Sequence, residues 1–258
     1  MTDRLAAIDC GPNSVRLLVA EVADGQVTTL DRRLHLTRLG QGVDATGRFH
    51  PDALARTLAA FDDFAAVMDG FGADRRCVVA TSAARDAANS AEFFDGVLAR
   101  VGVPAEVISG DEEARLSYAG AVSGVAGLAQ PVVLMDIGGG STELVLGRDG
   151  VLQQARSLDI GSVRVRERFL ASDPPAPDEV AAATAHIDTL LDGSGIPFDR
   201  AAAWVGVGGT ATSLAALALE LPVYDSVRVH GSVIAREDLD ALAASLLAMP
   251  VSQVLALP

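Results

Sequence analysis

The sequence predicts an α/β chain built from two related sheet domains. Three observations carry that reading: a Gly-rich hairpin in mid-chain, a second copy of its pattern near the N-terminus, and a similar order of elements after each copy. The mid-chain stretch, Pro131 to Gly147, reads PVVLMDIGGGSTELVLG. Short apolar runs on either side of a Gly-rich break read as two strands joined by a tight turn. Near the N-terminus the chain reads LAAIDCGPNSVRLLVAEV, and Asp9, Gly11, Ser14 and Leu17 fall at the same offsets as Asp136, Gly138, Ser141 and Leu144. Self-similarity of this kind implies two halves that each open on the same hairpin.

In the first half, strands are expected at Leu5 to Asp9, Val15 to Val22 and Gln26 to Leu36. A Gly-rich loop follows from Leu39 to Gly47. Pro51 then opens a helix with Leu54, Leu58, Phe61, Phe64 and Val67 at a 3.6-residue period. A strand from Cys77 to Ala80, a helix from Ala91 to Val101 and a strand from Ala105 to Ile108 complete the half. Ser109 and Glu112 form a capping-box pattern, which puts Glu113 in the first turn of a helix running to about Ala121. Gly120 to Gly127 reads as a hinge, so the domains are expected at 1–121 and 131–258, with the hinge at about 120–130.

The second half repeats the order, with strands ending at Asp136, from Thr142 to Leu146 and from Val151 to Leu158. Helices from Gly161 to Leu170 and Asp178 to Leu191 follow. A strand from Ala202 to Val207 then meets Gly208-Gly209-Thr210 at a helix start, and a further helix spans Arg236 to Ala248. Ser252 after Pro250 looks like an N-cap, so a short final helix is expected, with no counterpart of the first half's last strand. The second domain then reads as C-terminally incomplete, with an open sheet edge that favours self-association into a homodimer. Paired loops of this type resemble those of the actin, hexokinase and heat-shock ATPase superfold. That resemblance implies two RNase H-like domains with a cleft between them.

Composition limits the chemistry. All 20 basic residues are arginine, which excludes a Walker A lysine, a kinase strand lysine and Schiff-base chemistry. A net charge of −14 argues against a nucleic-acid binder, though not against a small polyanion. No apolar run is long enough for a membrane span, and the start lacks a signal-peptide pattern. Cys10 and Cys77 show neither metal spacing nor a disulfide framework, which fits a cytoplasmic setting. The histidines at 35, 50, 186 and 230 have no ligand spacing either.

The chemistry-bearing residues gather at the Gly-rich breaks. Gly138, Gly139 and Gly140 let successive amides converge on an anion, and Ser141 adds a hydroxyl. Asp136 and Glu143 put carboxylates at the loop's two ends, which repel a phosphate unless a divalent cation intervenes. Gly208, Gly209 and Thr210 form a helix N-terminus suited to phosphate. Arg85, just past a strand end, is placed to clamp a phosphate or simply to meet solvent. Glu113 at a helix start complements the helix dipole, and becomes a candidate base if that helix start reaches the site.

Taken in order, Asp-x-Gly-x-Asn-Ser at 9–14, Arg-Leu-Gly-Gln-Gly-Val at 38–43, Ala-Thr-Ser-Ala-x-Arg at 80–85, Ser-Gly-x-Glu-Glu-Ala-Arg at 109–115, Asp-Ile-Gly-Gly-Gly-Ser-Thr-Glu at 136–143 and Gly-Gly-Thr at 208–210 cover almost the whole chain. The chain resembles the exopolyphosphatase and guanosine pentaphosphate phosphatase family, especially its short actinobacterial-type members. The resemblance implies Mg²⁺- or Mn²⁺-dependent hydrolysis of a terminal phosphoanhydride, with inorganic polyphosphate as substrate and guanosine pentaphosphate as the alternative. It makes Glu113 the catalytic base, and Asp136 and Glu143 the carboxylates that help hold the metal or the attacking water. Asp9 joins them as a metal candidate because the three crowd negative charge against an anionic substrate. The phosphate cradle it implies is Gly11, Asn13 and Ser14, Arg85, Gly138 to Ser141, and Gly208 to Thr210. Pro12 departs from the family's usual serine or threonine, removing a hydroxyl and an amide from the first loop. Competing readings are an ATP-dependent small-molecule kinase of the same superfold, for which no adenosine or acceptor motif is found, and a nucleotide-sensing module, which Glu113 argues against.

Overall fold

The computed structural model describes residues 3–23, 26–125 and 127–257. The chain divides into two compact units, Met1–Gly110 and Asp111–Pro258.

In the first unit β1 (Asp3–Cys10), β2 (Ser14–Ala23) and β3 (Gln26–Leu36) form an antiparallel meander. A short helix α1 (Val43–Thr46) and a long one α2 (Pro51–Phe71) lead back to β4 (Arg75–Ala80), parallel to β1. Next come α3 (Ser82–Asp86), α4 (Ser90–Val101) and β5 (Ala105–Val107), giving a sheet order β3-β2-β1-β4-β5. Strand alternation turns Ala6, Ile8, Cys10, Val15, Leu17 and Val19 into one core with Phe61, Phe64 and Phe93. Asp9 and Arg16, opposite each other in the β1–β2 register, therefore lie on the other face. The stretch expected to be a plain loop at 39–47 contains α1, because Gly42 and Gly47 take φ values of 71° and 65° and close one helical turn between them.

The second unit holds nearly all of α5 (Gly110–Gly124) and then its own meander, β6 (Val132–Ile137), β7 (Thr142–Arg148) and β8 (Val151–Leu158). Asp149 and Gly150 both adopt positive φ, 52° and 78°, the turn that matches strand twist at the β7–β8 hairpin. After α6 (Ser162–Phe169) and α7 (Pro177–Gly193) the chain enters β9 (Ala203–Val207), parallel to β6. The rest is helical: α8 (Gly208–Ala218), α9 (Ser226–Val229), α10 (Arg236–Leu247) and α11 (Val251–Val254). Among the described residues the sheet order is β8-β7-β6-β9, the first sheet's arrangement without its fifth strand. Edge strand β9 leaves Trp204 half exposed.

The division between units falls earlier in the chain than the Gly120–Gly127 hinge expected from sequence. Helix α5 runs through Gly120 and Gly124, and Ala126 lies outside the described residues. Ala114 and Tyr118 of α5 pack with Val132, Leu134 and Val145, while Val133, Leu144 and Leu146 pack with Ile196 on the other face. A mid-helix glycine costs about 1 kcal/mol relative to alanine, and burial against the sheet outweighs that. With both faces covered, β7 is buried continuously from Thr142 to Gly147.

Candidate active site

The duplicated hairpins close in the same way. The Gly11 amide donates to the Ser14 carbonyl and the Gly138 amide to the Ser141 carbonyl, each at 3.0 Å. In the second loop the Gly138 carbonyl accepts from the Ser162 amide, and the Gly139 carbonyl from those of Val163 and Arg164. The Gly140 carbonyl accepts from the Gly161 amide and from Arg164 Nε. A trans peptide points its N–H opposite to its C=O. Spending these three carbonyls on the start of α6 therefore turns the amides of Gly139, Gly140 and Ser141 the other way, as an anion cradle. In the first loop the carbonyls of Pro12 and Asn13 accept from Gly40, Thr37 and Arg38. That leaves the Asn13 and Ser14 amides turned away, and none from Pro12. Gly161, read from sequence only as a helix start, is needed for this fit, because a Cβ there would collide with the Gly139 backbone.

The carboxylates lie on the sheet face that meets α5. Asp136 stands opposite Glu143, and Glu143 opposite Ser157, in one row across β6, β7 and β8. Glu143 is 1% exposed, and its Oε1 accepts the Ser157 hydroxyl at 2.7 Å. The Ser117 hydroxyl of α5 donates to Asp136 Oδ2 at 2.5 Å. Asp136 Oδ1 lies beside Gly208, where an added Cβ would approach it to 2.6 Å and where φ is +84°. Both space and conformation thus require glycine at the start of α8. Since β6 and β9 are parallel, the loop at 138–141 and Gly208–Thr210 leave the second sheet at the same end.

Glu113 and Ser117 are four residues apart on α5 and so share a face, beside the buried pair Ala114 and Tyr118. Tyr118 fits because residue 147 is glycine; a Cβ there would collide with its ring and hydroxyl. The two adjacent glutamates have different surroundings. Arg115 holds both oxygens of Glu112, at 2.7 and 3.0 Å, and these bonds keep that carboxyl below its usual range. Glu113 is half-buried, with Oε2 shielded from solvent.

In the first unit Arg85 is exposed on α3, and its Nη1 donates to the Ile108 carbonyl at 2.6 Å. Asp9 faces Arg16 in the register position that Glu143 occupies opposite Asp136. Ser117 and Ser157 were not singled out in the sequence. Their signals were a serine one helical turn after Glu113, and a serine that reaches Glu143 only through the register shift between Leu146 and Gly147, since the Asp149-Gly150 turn alone would set Arg156 opposite it. Among the described residues no three His, Cys, Asp or Glu side chains cluster as a metal site. Asp136 and Glu143 nonetheless offer oxygen donors only, and Mg²⁺-type ions are usually held by one or two carboxylates plus substrate phosphates. The pair fits that role.

Duplicated meander domains with glycine loops at their strand ends define the actin-like ATPase class of fold. The chain belongs to the Ppx/GppA phosphatase family, whose model matches residues 18–258. It is accordingly an enzyme, a hydrolase acting on acid anhydrides. Exopolyphosphatase 2 of Mycobacterium tuberculosis is 45% identical over 265 residues, covering 98% of this chain and 83% of that protein. A crystal structure of an exopolyphosphatase-like protein matches with TM-score 0.95 at 40% identity, over 99% of this chain and 81% of that one. The Ppx/GppA family member of Aquifex aeolicus matches with TM-score 0.80 at 33% identity, over 98% and 81%.

Proposed function

We propose that this enzyme releases phosphate from the end of inorganic polyphosphate, with Glu113 as general base and a divalent cation beside Asp136 and Glu143. The observation that carries the reading is the Ser117–Asp136 bond, which ties the helix bearing Glu113 to the strand end where the amide loop begins. The name of the M. tuberculosis relative supports polyphosphate as the substrate. Phosphoryl transfer needs positioning and charge neutralisation more than covalent help. The amides of Gly139, Gly140 and Ser141, with Gly208, Gly209 and Thr210 at the N-terminus of α8, hold the oxygens of the terminal phosphate. Glu113 takes the proton of the attacking water, and Gly11, Asn13, Ser14 and Arg85 of the first unit are candidate phosphate donors by resemblance to the family. The family generally uses a divalent metal ion, which would neutralise the phosphate oxygens here; Mg²⁺ or Mn²⁺ suits the oxygen donors. Asp9 enters the same reading as a further carboxylate.

The described cysteines are free thiols, in keeping with a cytoplasmic setting. No helix among the described residues is long and apolar enough to cross a membrane. The edge at β9 makes a homodimer the assembly to look for. The test is phosphate release from polyphosphate, guanosine pentaphosphate and ATP in one buffer, with Mg²⁺, Mn²⁺ or excess chelator. Polyphosphate is expected to be cleaved fastest, and only with metal. Faster release from guanosine pentaphosphate would move the assignment to that nucleotide, and full activity in chelator would remove the cation from the reading.

A further inference from the structure

Directly opposed residues on antiparallel strands have Cβ atoms about 4.5–5.5 Å apart. Asp136 and Glu143 therefore bring two carboxylates together on a face where Glu143 is buried. Each has one oxygen bonded to a serine hydroxyl from a different element: Ser117 on α5 for Asp136, and Ser157 on β8 for Glu143. A serine hydroxyl has a single proton to donate. Donating it to a carboxylate fixes the rotation of that group and so the direction of its second oxygen. For Asp136 the second oxygen is confined further, because Gly208 lies against it. The two serines reach the pair from different elements, as the outer groups of a metal site do when they aim its ligands.

We infer that Ser117 and Ser157 are positioning residues that hold Asp136 and Glu143 in the orientation that receives the divalent cation. This rests on the cation's place in the proposed function. Ser117 has a second effect, since its bond joins the helix of Glu113 to the same carboxylate.

The experiment is a titration of the metal-stripped full chain with Mn²⁺, counting free ion by electron paramagnetic resonance, without substrate and again with inorganic phosphate. Ser117→Ala and Ser157→Ala are each expected to weaken Mn²⁺ binding about 10-fold or more. Ser117→Thr and Ser157→Thr, which keep the hydroxyl, are expected to recover most of that loss. In turnover the alanine variants should need correspondingly more metal for half-maximal rate. Mn²⁺ affinity within twofold of wild type in both alanine variants, with unchanged melting temperatures, would overturn the inference. So would a wild type that binds no Mn²⁺ even with phosphate present. If Ser117→Ala does not fold, Ser157→Ala decides by the same criterion. Weakened Mn²⁺ binding in a protein that leaves polyphosphate intact would sink the substrate reading and leave this inference standing. Polyphosphate hydrolysis with unweakened Mn²⁺ binding would do the reverse.

Discussion

Glu112 and Glu113 are neighbours of identical chemistry, and only their surroundings separate a surface charge from the proposed base. Arg115 takes both oxygens of Glu112, whereas Glu113 lies on the Ser117 side of the helix with its Oε2 shielded from solvent. Glu113→Gln is nearly isosteric, so the fold should hold while kcat falls about 10²–10⁴-fold, the usual cost of losing a general base. Steady-state phosphate release checks this, and a rate within a few-fold of wild type would reduce Glu113 to a helix-end charge. The duplicated aspartates allow a second comparison. Asp136 faces Glu143, whereas Asp9 faces Arg16. A divalent cation has reason to sit only where negative charges accumulate, so Asp136→Asn should raise the metal requirement well beyond what Asp9→Asn does. Equal effects in metal titrations of the two variants would argue against that asymmetry. The glycine loops were legible in the sequence as tight turns, because a glycine break between short apolar runs reads as a strand–turn–strand. Ser117 and Ser157 were not, because their role exists only once a helix face and a strand register bring them to the carboxylates.

Elements in this chain were legible where periodicity is strong and obscure where glycine interrupts it. Helix α2 announces itself through Pro51 and its spaced leucines and phenylalanines, and it ends at Gly72 with φ 63°. Helix α5 hides its last turns, since Gly120 and Gly124 look like a hinge until Tyr118 and its neighbours are seen against the second sheet. The start of α8 is the most constrained junction. Gly208→Ala would place a β-carbon against Asp136 in a left-handed conformation, so it should destabilise by about 1–3 kcal/mol. A lower urea midpoint at unchanged slope would show this, and an unchanged midpoint would mean the junction relaxes freely. The start of α7 gives a pH-dependent case. The Glu179 carboxylate accepts from the amides of Ala176, Ser172 and Ala171, and those bonds hold it below its usual range, with Ala176 contributing most. A depressed carboxyl stabilises the fold above its ordinary titration range, and that contribution is lost as pH falls through the lowered value. Glu179→Gln should therefore melt below wild type at neutral pH, with the gap closing in acid. A gap that persists unchanged in strong acid would assign the effect to packing.

At the scale of the whole molecule, duplication was the most legible property, since the same offsets recur and both hairpins close through the same Gly-to-Ser bond. The short final helix expected after Pro250 is present at Val251–Val254, with Pro250 rather than Ser252 at its cap position, and among the described residues the second sheet has four strands. Charge acts at this scale too. A chain of net charge −14 repels a polyanionic substrate at long range, while the amides of the proposed cradle would attract it at short range. Screening separates the two, because the Debye length falls from about 30 Å at 0.01 M salt to about 8 Å at 0.15 M. The long-range repulsion is then largely removed, while contacts inside the site persist. At fixed free metal, KM for polyphosphate should fall as potassium chloride rises across that range, with kcat little changed. A binder whose affinity comes from many exposed basic contacts would show the opposite slope, with affinity dropping steeply as counterions compete. A KM that climbs with salt would mean that a basic track of the surface, rather than the amide-lined loops, supplies most of the hold on the substrate.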